Sequence, residues 1–143
     1  MTERQLKAKE YLEQYGEALR RIRQYTEQLE REQLSIDAIR SSSDNDGMPH
    51  GNGTSDPTAN KAVRLSERRQ RLLSAKHEAL RLKQEVFDTV VVIGGVESDV
   101  LIARYIDGYD WADVCQRVGY EWSQTHVYHR IGLDKVADEL RIE

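Results

Sequence analysis

Through the first forty residues, Ala8, Leu12, Tyr15, Leu19, Ile22, Thr26, Leu29, Gln33 and Ile36 recur alternately four and three positions apart. Side chains at that spacing line one stripe of an α-helix, whereas a half-buried strand would alternate every second residue. A helix of forty residues is roughly 60 Å long and cannot bury its stripe against itself. It needs a partner helix, as in a coiled coil. Thr26 and Gln33 make the seam imperfect, and Glu, Arg and Gln flank it as on solvated faces. Gly16 costs about 1 kcal/mol relative to Ala without having to break the helix.

The partner lies beyond "SSSDNDGMPHGNGTSDPTAN", residues 41–60, which hold both prolines of the chain, Pro49 and Pro57. Ser, Asp, Asn, Gly and Pro in such density predict a loop, here a flexible one over 41–58. Asp56 followed by Pro57 suits a helix cap and a first helical residue. Leu65, Leu72, Ala79, Val86 and Ile93 then form a second stripe, with Ala75 and Leu82 beside it. Leu73, Leu80 and Phe87 widen the apolar face enough to meet more than one neighbour. The β-branched run Val90–Ile93 favours a strand locally, but no second strand is in sight, so it reads as the end of this helix. Residues 1–95 are thus expected to form a long antiparallel, coiled-coil-like helical hairpin in an all-α chain.

Residues 96–143 read as a separate module. Ser98 or Asp99 can cap a helix running to about Ile106, and Gly108 ends it. Asp110 caps the next, with Asp113 favourably placed in its first turn. Trp111, Val114, Cys115 and Val118 share one face, and Cys115 is small enough for a close helix crossing. Gly119 suits a left-handed turn. Ser123 is then the expected cap of a last helix, with Val127 and Ile131 turned inward and Val136 and Leu140 continuing its apolar contacts. On that phase Thr125 and His129 point outward, with His126 beside them. Ser123 and Gln124 occupy the first turn, and Arg117 and Arg130 are placed for phosphates. Short polar groups at the start of a projecting helix are what base edges in a major groove require. The reading sets its own condition: Thr125 and His129 must be exposed, and if they are packed under neighbours the helices only mimic a DNA reader.

Charge does not announce a nucleic acid. The net charge is −4, and from Val96 onward ten acids face five Lys and Arg. Between Lys61 and Lys83, eight basic residues are opposed only by Glu67 and Glu78. Arg64, Arg68 and Arg71 there could form a secondary phosphate-tracking surface that supplies affinity the module lacks. No apolar run has the length of a bilayer span, no apolar leader is visible, and the single Cys115 suits a reducing compartment. A cytoplasmic, membrane-free chain is expected. No phosphate loop, nucleophile elbow or dinucleotide fingerprint is present, so no enzyme, catalytic residue or cofactor is expected. His126 and His129 lack further ligands for a metal, with His50 and His77 on other elements.

The stretch "VLIARYIDGYDWADVCQRVGY" resembles region 4 of sigma factors through Val100, Leu101, Arg104, Tyr105, Gly108, Trp111, Val114, Gly119 and Tyr120. It is more closely similar to the phage-encoded late-operon transcriptional regulators of the ArpU and RinA type. "SQTHVYHRI" from Ser123 looks like the start of their recognition helix, with Glu121 and Trp122 extra in the turn before it. The loop "DGMPHGNGTSDPTANKAV" and the charged helices around it extend the resemblance over most of the chain. The resemblance implies a sigma-like helix-turn-helix and a regulator of phage late genes in a bacterial host. Such a regulator is expected to bind double-stranded DNA as a homodimer or higher oligomer. RNA polymerase docking and a small terminase subunit are the alternatives.

Overall fold

The computed structural model describes residues 1–43 and 57–143, and the loop expected over 41–58 therefore lies mostly outside the described residues. At its margins helix replaces loop: α1 spans Glu3–Ser43 and α2 spans Pro57–Ile93. The run Val90–Ile93 is helical, as expected. After it come α3 (Gly95–Leu101), a π-helical turn (Ile102–Ile106), α4 (Trp111–Val118) and α5 (Trp122–Glu139). Every regular element among the described residues is helical, so the chain is all-α. It divides into two compact units, Met1–Leu19 with Glu78–Glu143, and Arg20–His77.

The larger unit begins with a reciprocal cap. The Thr2 amide donates to Gln5 Oε1 at 3.0 Å and the Gln5 amide donates to Thr2 Oγ1 at 3.1 Å. Two of the free amides at the helix start are thereby satisfied. Its core joins Ala8 and Leu12 of α1, Val86 and Val90 of α2, and Leu101, Tyr105 and Ile106. Leu133, Val136 and Ala137 of α5 complete it. Arg4 holds the end of α5 by pairing with Asp138 and by donating from Nε to the Ile142 carbonyl at 2.9 Å. Gln5 Nε2 adds a hydrogen bond to Asp134 at 3.0 Å.

A second cluster, Val100, Ala103 and Val114, lies between α3, the π-turn and α4, flanked by Trp111, Val118 and Tyr128. Ser98 does not cap α3: it is buried, and its hydroxyl donates to the Val90 carbonyl at 3.0 Å. The break between α2 and α3 falls on Gly94 and Gly95, with φ of 66° and 69° that side-chain-bearing residues rarely adopt. Cys115, expected under a close crossing, is only half-buried.

In the smaller unit, Ile36 and Leu65 are buried. Lys61 Nζ donates to Ser35 Oγ at 3.0 Å, Arg69 donates to Gln33 at 3.2 Å, and Arg68 pairs with Glu32. Ser35 meets residue 61 while Gln33 and Glu32 meet residues 69 and 68, so here the two stretches run antiparallel.

Candidate nucleic-acid interface

Asp110 does cap α4, accepting from the Asp113 amide at 2.9 Å, and Gly119 ends it in the left-handed region at φ 78°. The cap of α5, however, is Glu121 with no side-chain bond, so the helix starts at Trp122 and not after Ser123. The extra Glu121 and Trp122 are thus taken up as the cap and first residue of the helix.

The phase of α5 is the opposite of the one expected. Thr125 is 0% exposed and His129 2%. They are not outward base readers, and that part of the expectation is corrected. Both polar groups are satisfied inside. Thr125 Oγ1 donates to the Tyr120 carbonyl at 3.3 Å, and His129 Nε2 shares a 2.7 Å hydrogen bond with the Tyr105 hydroxyl. With these partners their burial costs little, whereas unpaired it would be expensive. The same face continues through Gly132, Leu133, Val136 and Ala137. A Cβ on Gly132 would stand 3.0 Å from Leu101 Cδ1, so the helices touch closely there.

A row of rings backs this face. Trp122 lies on His126 at 4.7 Å, His126 against Trp111 at 4.4 Å, and Trp111 against His129 at 4.6 Å. His126 is half-buried in the row, and its Nε2 has no hydrogen-bond partner among the described residues. Burial, helped by the Arg130 and Arg104 charges, lowers its pKa. The stronger burial of His129 pushes its pKa down to about 4, aided by His126, Lys9, Arg104 and Arg130. Both rings are neutral at pH 7, which removes them as cationic phosphate contacts. Tyr105 is held above the usual phenol range, first by burial and then by the Glu13 charge.

The outward face of α5 is Ser123, Gln124, Arg130 and Ile131, all exposed, with half-buried Val127 among them. Ser123, though not the cap it was expected to be, is exposed on this face with Gln124 and Arg130, and Val127 and Ile131, expected inward, lie on it too. Arg117 is exposed, but its Nη1 donates to the Tyr109 hydroxyl at 2.9 Å and its guanidinium sits 4.4 Å over that ring. Arg104 is likewise held, bonding the Tyr109 carbonyl at 3.0 Å and lying 4.9 Å over Trp111. Lys135 pairs with Glu97 at 3.3 Å.

In the smaller unit, Arg64 and Arg71 are exposed. Arg68 is only partly exposed and committed to Glu32, so it is a structural pair and not a waiting phosphate contact. No group of three or more metal-ligating side chains occurs among the described residues, and no described helix is long and apolar enough to cross a membrane. No family model, curated protein or solved structure matches this chain.

Proposed function

We propose that the chain is a DNA-binding transcription regulator of the phage type that its sequence resembles, contacting the major groove with the outward face of α5. The sequence tied this reading to Thr125 and His129. Those two are buried, so the DNA reading fails on the residues for which the sequence set it; the same helix turns a different polar face outward, and the proposal rests on that face instead, on Ser123, Gln124, Val127, Arg130 and Ile131. The observation that carries it is the chemistry of that face. Gln can pair two-pronged with adenine, Arg with guanine or a phosphate, Ser with either partner type, and Val and Ile with a thymine methyl. One helical face gathers all of these, and the α4 cap and the Gly119 turn fix where that helix begins. Affinity from phosphates would fall to Arg130 together with the exposed Arg64 and Arg71.

The test is a mobility shift at low salt with promoter fragments from the genome that encodes the chain. Gln124→Ala should weaken specific binding by about 1–3 kcal/mol and nonspecific binding far less. Absence of any shift at low salt removes the reading.

A second reading, docking on RNA polymerase, is favoured by a different observation. Of the five cations after Val96, Arg104, Arg117 and Lys135 are already engaged by this chain's own side chains or carbonyls. The surface left is acidic and carries Trp122, 57% exposed. Capture of polymerase that survives nuclease treatment, without a DNA shift, would select this reading.

A further inference from the structure

The two halves of α5 are held by different chemistry. Past Gly132, Leu133, Val136 and Ala137 sit in the main core. That half is also tied at its polar edge, Asp138 to Arg4, Asp134 to Gln5 and Lys135 to Glu97. None of residues 122–130 joins that core, and their half is attached through rings. Tyr128 rests against Tyr120 and the small Val100, Ala103 and Val114 cluster. Every other ring contact of this half, among the described residues, includes His126 or His129. His126 lies between Trp122 and Trp111, and His129 reaches the core through its bond to the Tyr105 hydroxyl. The charges that reach these two rings are positive: Lys9 from α1, Arg104 from the π-turn and Arg130 from α5 itself. From α4 they meet the uncharged Trp111. Glu13 of α1 acts on the Tyr105 hydroxyl and is paired with Lys9 at 3.5 Å. A proton added to either ring therefore enters a partly dry site already ringed by cations, and moving into water relieves both costs.

We propose that His126 and His129 form an acid-released latch: protonation of the two rings frees residues 122–130 from α4 and the π-turn, while the second half of α5 stays docked. Gly132 stands at the junction of the two halves, where a glycine weakens a helix by about 1 kcal/mol relative to alanine. The aliphatic contacts and polar ties beyond it contain no histidine, so acid leaves them in place. The freed half carries Ser123, Gln124, Val127 and Arg130. Acid would therefore dissolve the outward face of α5 before the larger unit unfolds. Local opening of one segment below the global unfolding energy is ordinary behaviour for a helix end held by few contacts. The release needs no DNA, so its test is independent of the function proposed above.

The test is amide hydrogen exchange of the full chain from pH 7 to 4.5, corrected for the intrinsic effect of pH on exchange. At pH 4.5 the amides of residues 125–130 should exchange roughly tenfold or more faster than those of residues 133–139. Low urea should speed the second set and barely touch the first, because a local opening exposes little surface. Between pH 7 and 4.5 the opening of 125–130 should rise roughly fiftyfold through His129 alone, whose ring titrates at about 4 when docked and near 6.5 when free. His126→Phe with His129→Gln keeps a ring and a hydrogen-bonding group but takes up no proton, and should flatten that rise. Loss of protection in both halves together at every pH overturns the proposal, and the parent chain alone decides this. A double variant that opens as steeply in acid as the parent overturns it too.

Discussion

Lowering the pH from 7 to 5 should destabilise the larger unit by about 2 kcal/mol through His129 alone. The folded-state pKa of this ring is about 4, chiefly because it is buried and then because His126, Lys9, Arg104 and Arg130 oppose a further positive charge. The unfolded chain takes up the same proton near pH 6.5. Between the two values the unfolded state binds more protons, so stability rises with pH across this window. The contribution is therefore fully present above about pH 6.5 and is lost as pH falls towards 4. The full span is about 3 kcal/mol, since one pKa unit corresponds to about 1.4 kcal/mol, and a little over half of it falls between pH 7 and 5. His126 acts in the same direction, because its pKa is also lowered by burial. The assay is urea unfolding followed by circular dichroism at pH values from 7 to 4.5, for the parent and His129→Gln. Glutamine does not titrate and can still hydrogen-bond the Tyr105 hydroxyl. The variant should lose markedly less stability on acidification. Equal losses in the two proteins, or a His129 resonance titrating at 6.5, would refute the reasoning.

Tyr105→Phe should cost about 1–3 kcal/mol in the same unfolding assay, since it removes the 2.7 Å partner of His129 and leaves a buried ring nitrogen unpaired. Asp110→Ala should cost about 0.5–2 kcal/mol by removing the cap of α4, seen as a lower urea midpoint with an unchanged slope. Gly132→Val should cost about 1–3 kcal/mol or more, because even a Cβ there stands 3.0 Å from Leu101 Cδ1; an unchanged melting temperature would mean that α3 and α5 are not so closely packed.

The amino-acid sequence by itself determined that this chain is helical and where most of its helices lie. The heptad rows of α1 and α2, the Asp110 cap and the Gly119 turn are local signals, and local hydrogen bonding and periodicity decide them. The Thr2–Gln5 reciprocal cap carries an equally local signal, a Thr followed three residues later by Gln. What the sequence did not settle was which way α5 faces. Its polar Thr125 and His129 were turned out and its apolar Val127 and Ile131 in, the reverse of what is observed. A warning was available: Val127 and Val136 are nine residues apart, about two and a half turns, and cannot share a face. Leu133, Val136 and Ala137 project back onto His129 and Thr125. Periodicity states that a helix has a face to bury. Whether a histidine can belong to it depends on a hydrogen-bond partner, and the partner of His129 is Tyr105, on the far side of a turn and another helix. The π-helical turn that carries Tyr105, and the close approach of Leu101 to Gly132, likewise follow from how the helices pack and not from any pattern within one of them.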